Sequence, residues 1–253
     1  MALKIAISSQ KGGVAKTTTS LSLGACLAEQ GRRVLLVDLD PQANLTQSLG
    51  VNPEQMRRTI GDVLLDQATL LSASRESSVF NLDLVPANAG LLVLDKILYG
   101  RPGYEYRLQT QVQPRNGEDY DVIIFDCPPS LGTLTLNALT AADILIIPVP
   151  AEYYAVRSLQ KYLQLIQLVH CKSNPKLTYR LLVTMFDRRN RIGEIILKQL
   201  RRDYRNTLFD TLIPIDVKLR ESPIFCQPIT QYAPQTRGAE GYRALATELM
   251  THG

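Results

Sequence analysis

Short apolar runs of strand length alternate along the chain with longer amphipathic stretches. That alternation restricts the fold more than any other feature: strands buried on both faces need helices above and below, which is how a parallel sheet is built. The runs predict strands near 3–9, 33–38, 82–86, 121–126, 143–149, 179–185 and 208–213. Helices are expected from Lys16 onward, with Gly31 placed to stop the first, and over 88–99, 132–141, 155–169, 191–205 and 237–250. "YGRPGYEY" and "QPRNGEDYD" carry the turn residues of surface connections. With 253 residues, no repeat and no long linker, the chain is expected to form one domain over 1–253.

Composition narrows the class. Apolar residues make up 45% and charged residues 21%, ordinary for a globular protein, and no apolar run approaches the length of a membrane span. The opening "MALKIAISS" reads as a strand, not a secretion signal, so a cytoplasmic location is expected. Cys26, Cys127, Cys171 and Cys226 lack C-x-x-C spacing and fall within expected helices and strands. They read as buried free thiols, neither disulfides nor cluster ligands. The net charge of +4 is modest, but Arg188 to Arg205, "RRNRIGEIILKQLRRDYR", holds seven basic residues against Glu194 and Asp203.

The chemistry begins with "SSQKGGVAKTT", residues 8–18. A strand, a glycine-containing loop and a helix opening on hydroxyl residues form a phosphate-binding arrangement, because N–H groups and the dipole at the helix start favour an anion. Gly12 and Gly13 permit close approach, Lys16 would neutralise outer phosphates and the Thr17 hydroxyl would ligate Mg²⁺. The G-x-x-x-x-G-K-[ST] pattern is nevertheless broken, since Gln10 and Ala15 stand where it has glycine. Ala15 is expected to keep a negative φ and to belong to the helix start.

"KGGVAKTT" resembles the deviant Walker A loop, K-G-G-x-x-K-[ST], of the ParA/MinD family of dimeric ATPases. The resemblance covers residues 3–250 and implies a P-loop NTPase-type three-layer α/β/α fold with a mostly parallel twisted sheet. It implies ATP and Mg²⁺ as ligands, held by Lys11, Gly12, Gly13, Val14, Ala15, Lys16, Thr17 and Thr18, with Lys11 reaching the nucleotide of the partner subunit. In "RVLLVDLDPQANLT" two carboxylates leave the same side of a strand end; the resemblance assigns Asp40 to the attacking water and Asp38 to the surroundings of Lys16 and Mg²⁺. "YDVIIFDCPPS" resembles a Walker B strand, with Asp126 holding Mg²⁺ or its water and Pro128 and Pro129 stiffening a switch. Pro214 and Asp216 of "LIPIDVKLRESP", together with Met185, match positions near the adenine.

Family branches differ in what the ATP state does. Basic residues in "FDRR" and "DVKL" match ParA relatives, so Arg189, Lys198, Arg201, Arg202, Lys218 and Arg220 are expected to contact DNA phosphates without sequence preference. The resemblance implies a nucleoid-associated ATPase dimer with slow basal turnover, stimulated by a ParB-like or McdB-like partner. Its cargo would be a chromosome or plasmid, or a protein assembly such as a carboxysome. Membrane targeting is not expected, as "ATELMTHG" adds no basic amphipathic helix. Two alternatives remain: a nucleotide-locked scaffold that does not hydrolyse ATP, and a metabolic or electron-transfer relative.

Overall fold

The computed structural model describes residues 1–113 and 120–252. Eight strands, β1 (Leu3–Ile7), β2 (Val34–Asp38), β3 (Arg75–Glu76), β4 (Leu82–Val85), β5 (Val122–Asp126), β6 (Ile144–Pro150), β7 (Thr178–Phe186) and β8 (Leu208–Pro214), form one sheet in the order β3-β4-β2-β5-β1-β6-β7-β8. All neighbouring pairs are parallel except β3–β4. The seven expected strands are present. The antiparallel edge β3 was not foreseen, because two exposed charged residues carry no periodicity. Part of "QPRNGEDYD" lies outside the described residues.

Central strands are buried on both faces, as their unbroken apolar runs require; Val34–Asp38 and Val122–Asp126 are buried throughout. Six helices of eight residues or more flank the sheet among the described residues: α1 (Lys16–Glu29), α2 (Leu91–Leu98), α3 (Thr133–Ala141), α4 (Tyr153–Lys172), α5 (Arg191–Asp203) and α6 (Arg237–His252). One core packs α1 and α6 against Ile5, Ile7, Leu36, Ile124 and Phe209. The other places α2 to α5 against Ala6, Leu35, Val37, Phe125 and Leu145. Strand residues thus alternate between the two cores, which gives the expected three layers.

Local signals set the helix ends. Gly31, at φ 82°, closes α1, and its N–H donates to the Ala28 carbonyl at 2.9 Å. The Asn190 side chain caps α5 by accepting from the Ile192 N–H at 3.0 Å. In α4, Ala155, Val156, Leu159, Tyr162, Ile166 and Val169 are buried at helical spacing.

Two cysteines differ from expectation. Cys26 and Cys127 are buried, but Cys171 and Cys226 are exposed. Cys171 lies in the last turn of α4, and Cys226 follows a 3₁₀ turn in a left-handed conformation, φ 54°, outside any helix or strand.

Where α1 crosses the sheet there is no room for a side chain at Gly24: a Cβ there would meet Leu36 Cδ2 at 2.8 Å and Leu82 Cδ1 at 3.2 Å. Gly24→Val is therefore expected to destabilise the protein by about 1–3 kcal/mol through overpacking. Urea unfolding should show a lower midpoint at unchanged slope.

Candidate functional site

The site is built at one edge of the sheet. Parallel register sets Ile7 beside Asp126 and Asp126 beside Asp38, so β1, β5 and β2 end level with one another. The loop between β1 and α1 leaves from this edge. Ligands of open α/β sheets bind there, beyond the carboxyl ends of the strands.

The loop adopts two left-handed residues, Gly13 at φ 73° and Ala15 at φ 71°. The negative φ expected for Ala15 is thus corrected. Ala15 is the N-cap of α1, and its carbonyl accepts from the Thr19 N–H at 2.9 Å. The reversal that starts the helix needs a left-handed residue immediately before Lys16, and this chain uses alanine there at a cost of about 1–2 kcal/mol. Val14 is buried, and its carbonyl accepts from the Thr184 hydroxyl at 3.2 Å, anchoring the loop to β7. Gly12 and Gly13 are exposed, with open space where each Cβ would stand.

Lys16 is buried although it is a lysine, and its Nζ donates to the Lys11 carbonyl at 3.3 Å. Burial lowers its pKa, opposed by the charges of Asp126 and Asp40. The Thr17 hydroxyl donates to Asp126 Oδ2 and the Ser20 hydroxyl to Asp126 Oδ1, both at 2.8 Å. Thr18 is half-buried one residue further on. Asp38 is fully buried: its Oδ1 accepts from the Asp40 N–H at 3.0 Å, and its Oδ2 from the Thr46 N–H at 2.9 Å and the Thr46 hydroxyl at 2.7 Å. Asp40 accepts from the Gln42 N–H at 2.9 Å.

Burial raises the pKa of Asp38, as does the neighbouring charge of Asp126, against the pull of its hydrogen bonds to Thr46 and Asp40. Burial likewise raises Asp126, while the Thr17 and Ser20 hydroxyls hold it down. Two adjacent buried carboxylates are costly when both are ionised, and a cation relieves that cost. Among the described residues no group of three or more His, Cys, Asp or Glu could hold a metal alone. One hydroxyl and one or two carboxylates match Mg²⁺, which keeps waters and takes its remaining ligands from phosphate. Burial pushes the Cys127 thiol up.

Lys11 meets Lys16 through its backbone carbonyl, while its own ammonium is held elsewhere. Its Nζ pairs with Glu152 Oε2 at 2.7 Å, just beyond the end of β6. Phe186 and Pro214 are in register at the ends of β7 and β8; Met185, one residue before Phe186, is left-handed, φ 53°, within a register shift. Asp216 accepts from the Lys218 N–H and the Gly238 N–H, each at 2.9 Å, and so fixes the start of α6.

Of the six residues expected on DNA, three are paired internally: Arg189 with Asp187 at 3.0 Å, Arg202 with Asp203 at 2.7 Å and Lys218 with Glu221 at 2.8 Å. Among the described residues Lys198, Arg201 and Arg220 have no such carboxylate. Sequence reasoning missed Ser20, Thr46, Glu152 and Arg237. Ser20 follows Thr17 by three residues and shares its helix face, a legible signal. Glu152 gave none. Arg237 joins Arg188 and Arg189 around a cavity of about 600 Å³ that Pro214 and Ile215 also line.

A strand, this loop, a buried lysine and a hydroxyl-bound carboxylate on the adjacent strand define a P-loop nucleotide-binding protein. Residues 2–179 match the AAA domain family model. The sporulation initiation inhibitor protein Soj of Bacillus subtilis is 43% identical over 250 residues, 98% of each chain. The chromosome partitioning protein ParA of Myxococcus xanthus is 41% identical over 97% of this chain and 87% of its own. The crystal structure of cobyrinic acid a,c-diamide synthase from Mycobacterium smegmatis with bound ATP analog and magnesium superposes with a TM-score of 0.87 at 38% identity, covering 100% of this chain and 96% of that one. The chain belongs to the ParA/Soj family of P-loop proteins.

Two outcomes follow from this geometry. Ala15→Gly should raise thermal stability by up to about 1 kcal/mol, because glycine removes the left-handed penalty. Because the folded pKa values of Asp38 and Asp126 lie above their unfolded values, folding takes up protons. The metal-free protein should therefore gain stability as pH falls from above neutrality toward the ordinary carboxylate range, a slope that Asp38→Asn reduces in urea titrations.

Proposed function

We propose that the protein is a Mg²⁺-dependent ATPase of the partitioning type, whose ATP-bound dimer holds DNA and releases it when a partner protein stimulates hydrolysis. The observation that carries this reading is the grip of Thr17 and Ser20 on Asp126 beneath a buried Lys16, in a chain 43% identical to Soj. Lys16 with the N–H groups of residues 12–18 would hold the phosphates, and Thr17 and Asp126 would hold Mg²⁺, which neutralises phosphate oxygens when bound. Asp38 contributes from behind: its carboxylate already takes three hydrogen bonds, so it fixes Asp40 and Thr46. Asp40 would orient the attacking water. Met185, Pro214 and Asp216 would border the adenine.

Lys11 would cross to the nucleotide of a second subunit, for which it must leave Glu152. That contact is exposed, and such pairs are weak enough to exchange partners. The DNA-binding surface would run from Arg189 and Arg237 along Lys198, Arg201 and Arg202 of α5 to Lys218 and Arg220. Pairing of Arg189, Arg202 and Lys218 with exposed carboxylates does not exclude them, since phosphate can displace such partners. A dimer doubles this surface, which makes binding depend on ATP. The cargo would be DNA through a ParB-like protein or a protein assembly through an McdB-like adaptor, and the location nucleoid-associated. No described helix is long and apolar enough to cross a membrane. The name of the Mycobacterium smegmatis relative favours a second reading, ATP-dependent amide synthesis on a small molecule.

Asp40→Ala is expected to bind ATP and to accumulate as a dimer in sedimentation velocity while phosphate release falls at least about 100-fold. Unimpaired turnover in that variant would remove Asp40 from its role. ATP-dependent amidation of cobyrinic acid by the wild type would favour the second reading.

A further inference from the structure

Ala15 and Met185 both hold left-handed backbones, φ 71° and 53°, although neither is glycine. A single hydrogen bond joins their immediate neighbours: the Thr184 hydroxyl donates to the Val14 carbonyl at 3.2 Å. Left-handed conformations are costly for residues that carry a Cβ, and they persist only where contacts enforce them. Thr184 is fully buried and Val14 almost so.

Strand geometry brings that hydroxyl to the loop. Val183 is in register with Leu212 and Phe186 with Pro214, so Thr184 and Met185 together oppose Ile213. Such a β-bulge re-aims side chains, often beside a site. Leu181 and Val183 pack into the core beside α2 to α5, and Leu182 into the core beside α1 and α6. Alternation then puts Thr184 on the α1 side and would put Phe186 there as well. The extra residue returns Phe186 to the opposite core, while Thr184 keeps its place facing the phosphate loop. Its backbone is committed too: the Thr184 carbonyl accepts from the Ala151 N–H at 3.3 Å, one residue before Glu152, the partner of Lys11.

We infer that Thr184 is a positioning residue for phosphate binding: its hydroxyl holds Val14 so that Ala15 stays left-handed, and this tether lets alanine stand immediately before Lys16. Without the hydroxyl, Ala15 relaxes toward negative φ and the N–H groups of the loop turn away from the phosphates. Glycine has no such preference to relax to. Tether and glycine are therefore alternative answers to one constraint, and their effects are not additive. The inference rests on the proposed ATP site and adds a residue of β7 that acts on it through the loop.

The test is a double-mutant cycle on the full chain with Thr184→Val, Ala15→Gly and both together. Calorimetry reads the binding of ATP and of inorganic tripolyphosphate in Mg²⁺, and hydrogen exchange reads residues 12–16 without ligand. Thr184→Val is expected to weaken both ligands at least about ten-fold and to speed exchange across 12–16. Adding Ala15→Gly should recover most of that loss, whereas Ala15→Gly alone should change affinity less than about two-fold. Thr184→Ser, which keeps the hydroxyl, should bind like the wild type. A merely structural hydrogen bond would behave otherwise: its loss would lower the urea midpoint and leave the affinities unchanged. Equal affinity in Thr184→Val, the same loss with and without Ala15→Gly, or failure of Thr184→Ser to restore binding would overturn the inference. Should Thr184→Val not fold, Thr184→Ala, which gives water room at the Val14 carbonyl, carries the same expectations. Exchange across 12–16 needs no ligand, so it tests the tether even where the wild type binds no ATP, a result that would remove the proposed function alone.

Discussion

Two carboxylates lie side by side inside this protein, and the rest of the site is arranged around them. Asp38 and Asp126 end neighbouring parallel strands in register, each almost wholly shielded from water. Buried charges of like sign need compensation. The chain supplies it from three directions: hydroxyls of Thr17 and Ser20 from α1, the N–H and hydroxyl of Thr46 beyond β2, and the buried ammonium of Lys16. Each of those groups also fixes a piece of backbone. The phosphate loop, the segment after β2 and the segment after β5 are thereby tied to one point, which is what a nucleotide must find already assembled.

That arrangement explains why the opening motif can depart from the commoner pattern. The loop needs a left-handed residue before Lys16, and alanine adopts that conformation because its surroundings hold it there: Val14 is anchored to Thr184, and Thr19 closes the first turn onto Ala15. Strain of this sort persists where neighbouring contacts over-determine the backbone.

The sheet was legible because period and burial coincide: seven strands read as unbroken apolar runs, and the carboxylates that end two of them mark the candidate site. What escaped has physical reasons. β3 is too short and too polar to leave a pattern. The φ of Ala15 departs from the intrinsic preference of alanine because tertiary contacts override it. Glu152 and Arg237 reach their places only through the packing of strands and helices far apart in sequence, which no local spacing encodes. The basic stretch was visible, but not that Arg189, Arg202 and Lys218 would each find a carboxylate close by.

The central claim is that nucleotide, second subunit and basic surface form one switch. Binding of a random-sequence DNA duplex across a salt series, with ATP, with ADP and without nucleotide, tests it most directly. The account predicts binding with ATP alone, weakening steeply as salt rises, because many phosphate contacts release counterions together. Equal binding in all three states, or none in any, would contradict it.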